Sequence, residues 1–168
     1  MAFKRVVVTG LGALTPIGNT VEEFWQGLST GKSGAATITR FDASKFRTQF
    51  ACEVKNFDVT QFIPRQDARK MDLFTQFAMV VADEAIKDSG LDLESINKNK
   101  AGVIWGSGIG GLKTFEEEVI NFSNGDGTPK FNPFFIPKMM ALLVEAHAET
   151  VIWFPWAKLY HGFGMCLN

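Results

Sequence analysis

Nucleophilic catalysis needs a thiol, hydroxyl or amine with a base in reach, so the cysteines and histidines are the first residues to weigh. Cys52 lies in the alternating stretch FACEV with no histidine before His147, and it reads as a small buried hydrophobe. His147, His161 and Cys166 stand 14 and 5 residues apart, which matches no compact zinc-ligand pair, so no metal is expected. Two cysteines with no Cys-x-x-Cys make no disulfide framework and point to a reducing compartment.

Glycines supply the next candidates. TGLGALT places Gly10 and Gly12 after an N-terminal apolar run, as a dinucleotide fingerprint would. Position 15 is threonine, however, and Asp42, the nearest appealing acid, lies in irregular chain. A tight turn fits better, and no cofactor is expected. GSGIGG, residues 106–111, lacks the Lys-Ser or Lys-Thr pair of a phosphate-binding loop. Its glycines allow close backbone approach, which leaves it open between a structural turn and the wall of a site. Arg65, Arg69 and Lys70 form a basic cluster before a long helical pattern. Such a cluster is usually a solvated face, and it can also steer an acidic partner.

These residues depend on the elements around them. RVVV, then glycine, predicts a fully buried strand. Thr20 and Glu23 have capping-box spacing, Val21, Phe24, Trp25 and Leu28 make an apolar face, and Gly31 is a plausible stop. From about Ala35 to Arg69 the chain is irregular apart from an alternating piece, Phe50 to Val54, and its phenylalanines predict a packed excursion. Asp72 to Ser89 predicts the clearest helix, with Phe74, Phe77, Ala78, Val81, Ala85 and Ile86 at helical spacing and Gly90 ending it. AGVIWGSGIGG predicts a second strand running into glycines. A helix follows at KTFEEEVINF, where Thr114 and Glu117 repeat the capping-box spacing. SNGDGTPKFNPFFIP then reads as a turn-rich excursion carrying Phe134 and Phe135. The alternation of strands and helices gives an α/β class.

Composition narrows the function. With 46% hydrophobic and 21% charged residues, the 168-residue chain has the make-up of a globular protein. Sixteen phenylalanines against one tyrosine favour buried rings over a wet recognition surface. Seventeen basic against eighteen acidic residues leave no broad footprint for nucleic acid or an anionic membrane. MAFKRVVVTGLG has too few apolar residues after its charges for a signal peptide, and no 18-residue apolar run occurs, so a cytoplasmic location is expected.

Together KRVVVTGLGALTPIGNTVEEFW, RKMD, DSGLDL, WGSGIGG and FNPFFIPKMM, in this order and spacing, resemble the N-terminal part of the bacterial type II β-ketoacyl-acyl carrier protein synthases. The resemblance runs from about residue 3 to Met140 and covers under half of a complete member. It implies a thiolase-like α/β fold, layered αβαβα when complete, in a homodimer. It further implies fatty acid extension: an acyl chain passes from acyl carrier protein to a cysteine, and decarboxylated malonyl-carrier protein attacks the thioester, with two histidines and backbone amides assisting. By the same resemblance, Ile109, Phe134 and Phe135 match the acyl-pocket or interface wall. Arg65, Arg69 and Lys70 match the surface that docks the acidic carrier protein. None of these performs the chemistry, and no catalytic residue is expected in this chain.

Residues 141–168 break the pattern. WFPWAKLYHGFGMCLN, given suitable codons and read one base later, becomes GFHGPNYTTVSACAS, which resembles the family's approach to its nucleophile. The chain therefore reads as a synthase region, 1–140, followed by a frameshifted tail, 141–168, with the shift arising from a gene lesion or a sequence error. The hidden cysteine codon straddles Met165 and Cys166, so Cys166 is not the nucleophile. Such a chain is expected to be inactive, and to be poorly soluble or loosely packed because a half-fold exposes sheet edge and apolar surface.

Overall fold

A computed structural model describes residues 5–97 and 100–140, which divide into two units: residues 5–58 with Val80–Gly90, and Val59–Met79 with the described residues from 91 onward. The frameshift reading, His147, His161 and Cys166 lie outside the described residues.

In the first unit the glycine-punctuated segment runs against the last turns of a long helix, and its polar backbone is satisfied there by carboxylates. Helix α1 spans Val21–Ser29. Thr20 caps it, accepting from the Glu23 amide at 3.2 Å. The reciprocal half of the expected box lands one residue earlier, with the Glu23 carboxylate accepting from the Asn19 N–H at 2.7 Å. Gly31 ends the helix at φ 69°, a left-handed conformation open to glycine. Beyond it a short antiparallel pair, β1 (Ala36–Thr37) and β2 (Phe50–Ala51), sets Ala36 opposite Ala51 and Thr37 opposite Phe50. The expected alternation thus pairs over Phe50 and Ala51 alone. The Thr39 hydroxyl donates to Glu53 at 2.6 Å and extends the pairing past β2. That bond holds the Glu53 carboxyl below its ordinary value.

The second unit starts with a 3-10 turn, Val59–Gln61, and helix α2, Arg65–Ala68, which begins after Pro64. Helix α3, Leu73–Ser89, follows across a tight corner and supplies its first turns to this unit and its last turns to the other. The Gln76 side chain closes the corner by donating to the Ala68 and Met71 carbonyls at 3.0 and 3.3 Å. Helix α4 spans Leu112–Ser123 and helix α5 spans Phe135–Met139, so a short helix begins in the last residues of the stretch expected to be turn-rich and runs past it. The predicted capping box of α4 does not form. Gly111 is the N-cap, and Thr114 lies within the helix, buried, with its hydroxyl donating to the Asp72 carboxylate.

Two expected strands are absent among the described residues. Val6, Val7 and Val8 are 93%, 67% and 79% exposed, and Ile104 is 96% exposed, with no ladder through either run. A buried strand depends on neighbouring strands and on cover for both faces. The described residues supply only the β1–β2 pair. The local propensity is therefore present while its long-range partner is not.

Candidate functional site

Two segments of the second unit line a shallow, open cleft of about 640 Å³. One wall is the α2–α3 corner, presenting Gln66, Arg69 and Lys70; the other is the segment before α5, presenting Lys130, Phe131, Asn132, Pro133 and Phe134. Helix α2 is one turn long, so Gln66 and Arg69, three apart, fall on one side of it. Lys70 continues that rim and pairs with Asp67 at 2.8 Å, both side chains being about half exposed. The pair adds little stability, but it fixes where the ammonium stands. Arg65 and Arg69 have no ion pair among the described residues.

The opposite wall is shaped by Asn132. Its side-chain oxygen accepts from the Phe134 amide at 2.9 Å, and its own amide donates to the Glu118 carboxylate of α4 at 3.1 Å. Its carbonyl accepts from the Phe135 amide at 2.8 Å and so starts α5. Behind this turn the rings form a ladder: Phe115 to Phe135 at 6.2 Å, Phe135 to Phe131 at 5.7 Å and Phe131 to Phe122 at 5.5 Å. Such pairs contribute roughly 0.5–1.5 kcal/mol each beyond area burial. Upstream, the Thr128 amide donates to Asp126 and holds that carboxyl below its ordinary value.

Of the residues singled out from sequence, Arg69, Lys70 and Phe134 meet around this cleft. Arg65 opens α2 and is exposed, but does not line the cleft. Phe135 lies behind it, supporting Phe131 in the ring ladder. Ile109 stands outside the lining on the glycine-rich loop, 76% exposed. That loop is nevertheless anchored to α5. The Gly111 amide donates to the Met139 carbonyl at 3.1 Å, and a methyl group at position 111 would sit 2.3 Å from the Lys138 carbonyl oxygen. Close approach thus explains Gly111, while the conformational need for glycine falls at Gly110, with φ 84°. Lys130 and Phe131 were missed in the sequence; the signal was a lysine abutting the Phe and Pro residues of KFNPFF.

The cleft presents cations, Arg69, Lys70 and Lys130, beside the rings of Phe131 and Phe134, an arrangement able to meet an acidic surface and to make apolar contact. Cys52 is a free thiol and exposed, which corrects the expectation of a buried one; its neighbourhood is the two-residue β1–β2 pair, too small to cover it. The tight turn expected at Gly10 and Gly12 is not formed: the segment runs on without a turn until Pro16, and close approach to α3 accounts for the two glycines. Methyl groups there would lie 2.1 Å from the Ala85 carbonyl oxygen and 2.0 Å from that of Val81. No group of His, Cys, Asp or Glu among the described residues could hold a metal ion, and no described helix is long and apolar enough to cross a membrane.

Comparison with known proteins gives this geometry a family. The sequence model described as "Beta-ketoacyl synthase, N-terminal domain" matches residues 3–148. The 3-oxoacyl-acyl-carrier-protein synthase 2 of Synechocystis sp. is 49% identical over 138 residues, covering 82% of this chain and 33% of the relative. The protein of the same name from Vibrio harveyi is 45% identical over 151 residues, covering 90% of this chain and 36% of the relative. The chain thus spans about a third of the length of these relatives. Among solved structures, the ishigamide ketosynthase/chain length factor superposes with a TM-score of 0.80 at 29% identity, over 92% of this chain and 38% of that one. A type II polyketide ketosynthase solved in complex with its acyl-carrier protein superposes with a TM-score of 0.74 at 25% identity, over 90% of this chain and 40% of that one. With the family model matched over residues 3–148, the chain belongs to the β-ketoacyl synthase family and forms an N-terminal, incomplete part of its thiolase-like α/β fold.

Proposed function

We propose that this chain carries the carrier-protein docking part of a type II β-ketoacyl-acyl carrier protein synthase of fatty acid biosynthesis, acting in the cytoplasm, and performs no condensation by itself. In the complete reaction an acyl group is held as a cysteine thioester and attacked by the carbanion left when malonyl-carrier protein loses carbon dioxide. The observation that carries the reading is the cleft in which Arg69, Lys70 and Lys130 rim Phe131 and Phe134. Acidic carrier surfaces suit that rim, and the names of the relatives supply the carrier. Ile109, Phe134 and Phe135 are assigned to the acyl-pocket or interface wall of the homodimer, and Arg65 joins Arg69 and Lys70 as a peripheral steering charge.

The test is calorimetric titration of the 168-residue chain with acyl carrier protein at two salt concentrations. Saturable binding that weakens with salt, and weakens about tenfold or more in Arg69→Glu, is expected. Binding by neither protein, or binding indifferent to both changes, refutes the docking reading. Condensation product from a homogeneous preparation refutes the claim of inactivity. Residues 141–168 are read as an out-of-frame translation, which DNA sequencing across codons 138 to 155 decides.

A further inference from the structure

We infer that Thr114 and Asp72 are positioning residues for the cleft. The Thr114 hydroxyl, by holding the Asp72 carboxylate, sets the spacing between the basic wall and the aromatic wall. This rests on the docking reading only for its functional consequence; the spacing itself is a geometric claim.

Helix α4 packs against α5 and is tied to both walls. To the aromatic wall it is joined by the Glu118 carboxylate accepting from the Asn132 amide at 3.1 Å and by the Phe115–Phe135 stack at 6.2 Å. At its N-cap the Gly111 amide reaches the Met139 carbonyl of α5 at 3.1 Å. To the basic wall the tie is Thr114. Asp72 follows Arg69, Lys70 and the buried Met71 in the chain and stands at the head of α3, so its carboxylate joins α4 to the corner that carries both cations, which Gln76 braces from within. The second oxygen of Asp72 has only a long contact, 3.4 Å from the Phe74 amide, and cannot hold that position equally well. Thr114 is 9% exposed, which leaves little room for water to replace its hydroxyl. A hydrogen bond to a charged acceptor in such a place is among the stronger ones available to a protein.

The test uses two readouts on the 168-residue chain. A short amine-reactive cross-linker is used to bridge Lys70 and Lys130, which both line the cleft, and the bridged peptide is quantified by mass spectrometry. This readout needs no carrier protein. Thr114→Val, nearly isosteric but without the hydroxyl, is expected to lower the Lys70–Lys130 bridge by about threefold and carrier affinity by about tenfold, while Thr114→Ser restores both. The salt dependence of binding stays as in the parent chain, because no charge is removed. An unchanged bridge yield in Thr114→Val overturns the inference, as does failure of the serine variant to restore it. Loss of helical circular dichroism in Thr114→Val also overturns it, since the hydroxyl would then support the fold at large. If the parent chain and Arg69→Glu both ignore carrier protein, the docking reading falls, and the cross-link ratio alone decides the positioning role.

Discussion

Removing the Glu84 carboxylate should release the N-terminal segment from α3. Glu84 Oε2 accepts from the Ala13 amide and Oε1 from the Val21 amide, each at 2.8 Å, in a part-buried setting. One side chain therefore ties the glycine-containing segment and the first residue of α1 to the same helix. Hydrogen bonds to charged groups contribute about 1.5–3 kcal/mol each, and discounting two of them for partial solvent access leaves about 2–4 kcal/mol for Glu84→Ala. Glu84→Gln keeps one carbonyl oxygen but turns an NH₂ toward the other donor, so it should lose at least half of that. Native-state hydrogen exchange reads the effect locally, since about 1.4 kcal/mol corresponds to a tenfold change. Exchange at Ala13 and Val21 should rise by about thirtyfold or more, while the Phe115 amide, bonded to the Gly111 carbonyl in the other unit, should not move. Unchanged exchange at both amides, or equal effects at Phe115, would refute the bridge as the anchor of this segment.

Gly12→Ala should displace the same segment by a different route, because the added methyl would stand 2.0 Å from the Val81 carbonyl oxygen. Its expected signature is faster exchange at Leu11 and Ala13 with α1 intact, and normal protection there would count against the close packing. The Asp126 carboxyl, held low chiefly by the Thr128 amide, should favour the turn above the ordinary aspartate value of 3.8, with the benefit lost as pH falls through its lower folded value. Carboxyl carbon shifts followed against pH check this, and titration at or above 3.8 would contradict it. The exposed Val6, Val7, Val8, Ile104 and the half-covered Phe122 and Phe131 should make the chain bind an apolar dye and self-associate with concentration. A dye-silent monomer in analytical centrifugation would be the contrary result.

Features governed by neighbours in sequence were legible before any coordinates. Thr20 as cap and Gly31 as stop bounded α1, and Gly90, at φ 62°, closed α3 where expected. Arg69 and Lys70, marked by residue type, and Phe134, marked by the family resemblance, share one cleft lining, whereas Arg65 does not reach it. Features governed by distant partners were not. Val6–Val8 carries strand propensity that nothing local can satisfy. The Thr-x-x-Glu at Thr114 fits a capping box or a helix interior equally well, and the choice was made by Gly111 reaching Met139 and by Asp72 receiving the hydroxyl. Lys130 became part of a site only because the segment before α5 folds opposite α2, a pairing no local pattern announces.

The same division separates what gives this chain its shape from what would give it stability. Its polar ties are specific: Glu84 to Ala13 and Val21, Asp88 to Leu11 at 2.9 Å, Glu118 to Asn132, Thr114 to Asp72. Each fixes a backbone segment to a helix at a defined place. The fully buried apolar residues, by contrast, are mostly small: Ala43, Ala68, Met71, Ala78 and Val80 among those described. Ordering a residue costs about 1–2 kcal/mol in backbone entropy, and burial returns only about 25 cal/mol per Å² of apolar surface. Small side chains return little on that scale, so the carboxylate ties specify geometry without supplying cohesion. Cohesion has to come from covering the exposed valines, isoleucines and phenylalanines, and any condition that covers them should tighten the cleft walls without altering how those walls are joined.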